Sequence, residues 1–113
     1  MNYKIFPTRQ FEKELKRYVK KFPSLKKEYG ELIDTLVEDP ESGEPIGKHC
    51  YKIRLAIASK GKGKRGGARV ITYLYIQKAT VYLLTMYDKS EKADVTDSEL
   101  NAMIKALFCL NPP

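Results

Sequence analysis

Residues 59–69 read SKGKGKRGGAR, and this stretch constrains the fold more than any other. Five cations and four glycines in eleven residues suit neither a core nor a helix, because like charges repel and each glycine loses backbone entropy on folding. On its N-terminal side Tyr51, Ile53, Leu55 and Ile57 alternate with Lys52, Arg54, Ala56 and Ala58. A period of two predicts a strand over 51–58, with Lys52 and Arg54 projecting from the face opposite the core. On its C-terminal side RVITYLYI and TVYLLTMY are nearly continuous in apolar residues, which predicts two central strands. The basic tract is therefore expected to be a surface hairpin connection with a flexible glycine tip. It is not a phosphate cradle of the Walker kind, since that spacing is absent and no Ser or Thr follows a Gly-Lys pair.

The first forty residues carry a different period. YKIF predicts a short strand stopped by Pro7; Thr8 can then cap a helix in which Phe11, Leu15, Tyr18 and Phe22 share a face. Ser24 can cap a second helix with Leu25, Tyr29, Leu32, Ile33, Leu36 and Val37 on one stripe, ending before Pro40. The basic residues of this hairpin, such as Lys20, Lys21, Lys26 and Lys27, are expected to form a solvated face that Glu12, Glu14, Glu28 and Glu31 partly neutralise. PESGEPIG predicts a loop. At the other end Thr96 and Glu99 predict a capping box for a helix bearing Leu100, Met103, Ile104, Leu107 and Phe108. The expected order is β, α, α, β, β, β, α. It implies one α+β domain over residues 1–113, with the helices on one face of a small, mainly antiparallel sheet.

Charge placement narrows the partner. The formal net charge is +7, yet no Asp or Glu stands between Pro45 and Tyr87, where nine cations fall. A field so concentrated suits a polyanion. A membrane surface fits less well, because the basic span reads as strands and a loop. No secretory signal or membrane-length apolar run is apparent, so the cytoplasm is expected. Cys50 and Cys109 lack a CxxC and His49 is the single histidine, so no metal, disulfide framework or other cofactor is expected, and both thiols are expected to be part-buried.

Lys52 and Arg54, two apart on a strand, are neighbours, and Arg69 opens the strand joined to theirs. Flanked by Gly67 and Ala68, Arg69 is expected to have little packing. Tyr87 and Lys89 can close the other side, giving phosphate-binding charges beside an aromatic ring on which an unpaired base can stack, an arrangement suited to RNA. Tyr73, Tyr75 and Tyr82 read as packing residues of central strands. His49, on the loop before the strand, is the rival for acid–base work, and an exposed or structural histidine is the preferred reading.

The segments YKIRLAIASKGKGKRGGARVITYLYI and VYLLTMYDKSEKADVTDSEL resemble the RelE-like toxins of bacterial toxin–antitoxin pairs. The patterns KIR, GKGKRGG-R and YLL-x-x-Y-x-K, in this order, point to the HigB-like branch. The resemblance implies a βααβββα fold and a ribosome-dependent endoribonuclease that cuts messenger RNA at the decoding site, needs no metal, and is silenced by a cognate antitoxin, expected to be a helix-turn-helix protein. It implies a catalytic strand bearing Lys52 and Arg54, a phosphate-clamping Arg69, and Lys89 in place of another functional arginine. Where RelE has a tyrosine near the start of the last helix this chain has Val95, which leaves Tyr87 as the substitute. Lys60, Lys62, Lys64, Arg65 and Lys92 are expected to attach RNA.

Cutting RNA at its own 2′-hydroxyl needs a base, an acid and charge stabilisers. Lys52 is the expected base, since crowding by arginines favours a neutral lysine. Arg54 and Arg69 are expected clamps, with Lys89 assisting the leaving group. Two non-catalytic readings compete: a ParE-like inhibitor that acts by binding DNA gyrase, and a plain RNA-binding module.

Overall fold

A computed structural model describes residues 3–60 and 67–110. Its elements are β1 (Lys4–Pro7), α1 (Arg9–Lys21), α2 (Leu25–Glu38), β2 (Glu44–Gly47), β3 (Cys50–Leu55), β4 (Ala68–Tyr75), β5 (Thr80–Asp88) and α3 (Asp97–Leu110). The strands form one mixed sheet in the order β1-β5-β4-β3-β2, in which β1 runs parallel to β5 and the remaining pairs are antiparallel.

The helix starts follow local chemistry. Thr8 Oγ1 accepts the Phe11 N–H, and Thr96 and Glu99 exchange the two bonds of a capping box. Ser24 does not cap α2 as expected. It exchanges bonds of 2.9 Å each with Ser59, fastening the α1–α2 turn to the root of the basic tract.

The loop expected at PESGEPIG is in part an edge strand, β2, with a bulge between Pro45 and Gly47. Proline hides such a strand from sequence reading, yet an edge tolerates it because one side of the ladder is unpaired. Lys48 and His49, both with positive φ, make the two-residue turn into β3. Gly43, at φ +100°, passes the Lys52 carbonyl so closely that a Cβ would lie 2.6 Å from its oxygen.

The helices cover both faces of the sheet, not one. Phe11, Tyr18, Leu25, Leu32 and Leu36 of α1 and α2 pack with Ile53, Val70, Leu74, Val81, Leu83 and Met86. Leu100 and Leu107 of α3 pack with Cys50, Ile71, Leu84 and Tyr87 on the opposite face. Strands β4 and β5 are apolar on both faces, and only a helix on each removes that surface from water.

One irregularity sets which face Tyr87 occupies. Ile71 pairs with Thr85 but Thr72 with Leu83, so Leu84 is an extra residue in β5. Val81 and Leu83 therefore face α1 and α2, while Leu84 and Tyr87 face α3. Helix α1 satisfies the disturbed backbone. Thr8 Oγ1 donates to the Leu83 carbonyl at 2.9 Å, while Glu14 Oε1 accepts from Thr85 Oγ1 at 2.7 Å and from the Met86 N–H at 3.1 Å.

Candidate active site and nucleic-acid interface

On the α3 side of the sheet the ladder places Arg54 of β3 opposite Arg69 of β4, and Arg69 opposite Tyr87 of β5. Lys52 lies on the same face of β3, one pleat period away. Four of the five expected catalytic residues thus share one face of three adjacent strands. The fifth, Lys89, is exposed just beyond β5 and donates its N–H to the Gly67 carbonyl at 3.3 Å, bringing it to the mouth of the β3–β4 connection. Gly67 is fixed by close approach: a Cβ there would stand 2.1 Å from the Leu55 carbonyl oxygen.

The environments of these side chains differ from expectation in three respects. Arg69 is not a lightly packed strand opener. It is 3% exposed, and its Nη1 donates to the Ala68 carbonyl at 3.2 Å. Tyr87 is not an exposed ring either, being 4% exposed beneath the start of α3. Burial, then the charge of Asp94, pushes its hydroxyl up to about 12, so the phenol keeps its proton well beyond physiological pH and is available as a proton donor.

The third difference concerns Lys52. Its ion pairs among the described residues are with carboxylates: Asp94 Oδ1 and Oδ2 at 3.4 and 3.5 Å and Glu44 Oε2 at 3.9 Å.

Asp94 was not legible in the sequence as a site residue. Its carboxylate accepts from Val95 N–H at 2.8 Å, from Tyr87 Oη at 3.3 Å and from Lys52. These donors, the Val95 N–H foremost, hold its pKa below the ordinary carboxylate range. The available signal was an Asp in the turn immediately before a capped helix, which reads as a turn former. Glu14 was missed for the same kind of reason: a glutamate on an amphipathic helix reads as solvated, although this one supports the bulge that aims Tyr87.

A sequence model of the family described as "RelE toxin of RelE / RelB toxin-antitoxin system" matches residues 3–109. The chain belongs to the RelE toxin family. Among solved structures, this RelE-family toxin is similar to a double-arginine mutant of the E. coli toxin RelE in the free state, with a TM-score of 0.64 and 16% identity, covering 95% of this chain and 99% of that one. It is also similar to the isolated E. coli RelE toxin, with a TM-score of 0.53 and 22% identity, covering 93% and 99% of the two chains. A third match is to the intact E. coli RelBE toxin–antitoxin complex, with a TM-score of 0.51, 24% identity and coverage of 76% and 95%. These likenesses bear out the α+β fold of helices on a small mixed sheet.

Of the expected RNA-attaching residues of the toxin, Lys62, Lys64 and Arg65 lie outside the described residues, as does the side chain of Lys60, whose backbone ends a short 3-10 turn. Lys92 is half-buried and paired with Glu99 at the start of α3. His49 is exposed in the β2–β3 turn, at the opposite end of β3 from Arg54. Cys50 is buried, its thiol pushed up to about 12 by desolvation, whereas Cys109 is exposed instead of part-buried. Among the described residues no cluster of three or more His, Cys, Asp or Glu is placed to hold a metal ion, and no helix is long and apolar enough to cross a membrane.

Proposed function

We propose that this toxin is a ribosome-dependent endoribonuclease of the HigB-like branch that cuts messenger RNA in the cytoplasm. In this reading residues 1–113 work as one toxin domain, and a cognate antitoxin neutralises it. The observation that carries the reading is the row Arg54–Arg69–Tyr87 across three strands with Lys52 beside it, a concentration of donors that a phosphodiester can occupy. Similarity to a structure of RelE bound to a RelB antitoxin peptide supports an antitoxin partner. A helix-turn-helix protein is the form proposed.

In the chemistry proposed, the RNA 2′-oxygen attacks its adjacent phosphorus in line and loses its proton. The bond to the 5′-oxygen breaks, leaving a 2′,3′-cyclic phosphate and a 5′-hydroxyl. Arg54 and Arg69 stabilise the charge gathering on the phosphoryl oxygens. Tyr87, held neutral by burial, donates toward the departing 5′-oxygen, with Lys89 near it at the strand end. Lys52 meets the phosphate in place of Asp94, whose carboxylate occupies an anion's position in the free toxin. Once Asp94 withdraws, Lys52 acting in its neutral form is the proposed acceptor of the 2′-hydroxyl proton, becoming the ammonium that then faces the phosphate. The Lys60–Arg65 tract and Lys92 add attraction for the RNA backbone.

The test is primer extension on messages after induction in a bacterial host, alongside radiolabelled amino-acid incorporation. Cuts within translated codons with arrested incorporation are the expected result. Arrested replication with normal incorporation would instead support a ParE-like gyrase inhibitor, and ribosome binding without cut products a plain RNA-binding module.

A further inference from the structure

Helix α1 carries cations that the sheet site does not use. Lys13, Lys16, Arg17, Lys20 and Lys21 are all exposed and line one shallow depression with no other residue type among them. The acids expected to neutralise this helix point elsewhere. Glu14 is bonded to the β5 bulge, and Glu12 lies in a separate cleft with Phe6, Leu84 and Met103. Glu28 of α2 is held by Ser24 and by the Ala58 N–H. The carboxylate that does reach the depression is Glu91, 3.1 Å from Arg17 and 3.6 Å from Lys21. Lys13, Lys16 and Lys20 have no ion pair among the described residues.

Residues 16 and 17 each stand three or four positions from both 13 and 20, so those side-chain pairs neighbour one another at about 5–6 Å between Cβ atoms and form a ladder of charge along the helix. The helix dipole accounts for lysines in the last turn, but not for Lys13 and Lys16 in the middle of the helix. The ladder ends beside the toxin's own site. Glu91 belongs to the loop from which Asp94 reaches Lys52, and the Ser24–Ser59 bonds fasten the turn after α1 to the start of the basic tract.

We propose that this face of α1 binds the phosphate backbone of folded RNA, as an attachment separate from the cutting site; the proposal rests on reading RNA as the toxin's partner. The chemistry of the depression favours RNA over a protein segment. The aromatic side chains of α1, Phe11 and Tyr18, are buried and offer no anchor of the kind a protein interface is built around. A polyanion requires only the charges.

The experiment compares the full chain with the triple variant Lys13→Gln/Lys16→Gln/Lys20→Gln. Binding to purified bacterial ribosomes is measured over a salt series, with single-turnover cleavage at saturating ribosomes alongside. The expected result is ribosome affinity lower by roughly tenfold and a log-log salt slope shallower by about 0.7 to 0.9 for each phosphate that the variant no longer neutralises. Cleavage at saturation should be retained, and the matching Lys→Arg variant should bind as the parent does. Unchanged affinity and slope in the glutamine variant, while the parent binds in a salt-dependent way, would overturn the attachment alone. A parent whose ribosome binding is insensitive to salt would overturn the RNA reading together with it. Normal ribosome binding by the variant with loss of antitoxin binding would assign the face to an acidic protein and overturn the proposal.

Discussion

Two groups of cations in this toxin lie in contrasting surroundings. On the sheet, Lys52 is held by Asp94 and Glu44, and Arg69 is buried against its own strand. On α1, three lysines stand in solvent with no ion pair among the described residues. A held charge has direction, and differences of a fraction of an ångström matter to it, as transition-state stabilisation requires. A free lysine is a mobile point charge that can follow a flexible backbone but positions nothing. In the proposed reading the contrast divides chemistry from attachment, and each half can be broken separately.

The largest effects are expected at the two arginines. Arg54→Ala should lower cleavage by roughly 100-fold or more with little change in melting temperature, since the side chain is exposed. Arg69→Ala should lower cleavage as much and also cost several degrees of melting temperature, because it empties a buried position. Single-turnover assays and calorimetry on both variants check this. Near-parental cleavage by Arg54→Ala would place the chemistry elsewhere.

Tyr87→Phe should come next, lowering cleavage on the order of 10- to 100-fold while ribosome binding stays intact. It should also alter the alkaline limb of stability. The folded-state values of Tyr87 and Cys50 are raised from 10.0 and 9.0 to about 12, so their stabilisation is complete below the unfolded values and is lost as pH rises towards 12. Melting temperatures between pH 9 and 12 should therefore fall less steeply for Tyr87→Phe than for the parent. An unchanged limb would show that the hydroxyl is wetter than its position implies.

Glu14→Ala tests how the site is aimed. Removing the carboxylate leaves Thr85 Oγ1 and the Met86 N–H without their acceptor, a destabilisation of about 1–3 kcal/mol. If the bulge holds Tyr87 toward α3, cleavage should fall further than the lower stability explains, measured well below the melting temperature. Parental cleavage would show the bulge to be self-supporting.

Glu14 also marks where the sequence stopped being legible. Strands β1, β3, β4 and β5, all three helices and the alignment of Lys52, Arg54 and Arg69 follow from periodicity, turn residues and caps, which are local properties. Tyr87 joins the site because a single extra residue at Leu84 reverses the alternation of β5, and nothing in TVYLLTMY marks that residue. Asp94 and Glu44 reach Lys52 through a loop and an edge strand whose Pro, Gly and Asp content reads only as turn. Placing α3 on the second face follows from nearly continuous apolar strands, a signal present in β4 and β5 but outweighed by the small number of helices. Burial of Arg69, placed between Arg54 and Tyr87 in the ladder, is a long-range property that Gly67 and Ala68 do not reveal.

The smallest effect, and the one that most directly sharpens the division, is expected at Asp94. The Asp94→Asn side chain keeps an oxygen for the Val95 N–H and for Tyr87 but removes the charge facing Lys52. Asp94 is mostly solvent-exposed, so its pairing contributes little to folding, and the melting temperature at neutral pH should scarcely move. Its pKa is depressed in the folded toxin, so whatever it adds is present above the ordinary carboxylate range and disappears as pH falls through the lowered value. The acid limb should accordingly be slightly flatter in the variant. For RNA the sign is opposite: a phosphate approaching Lys52 no longer displaces a carboxylate, so affinity for an RNA oligonucleotide should rise a few-fold, by about 1 kcal/mol or less, and most at low salt. Unlike the glutamine variant of α1, this change should leave the same phosphates neutralised, and so the salt slope of ribosome binding nearly unaltered. If Asp94→Asn instead abolishes cleavage while binding more tightly, Asp94 takes part in the proton transfer itself, and Lys52 is its electrostatic partner and not the base.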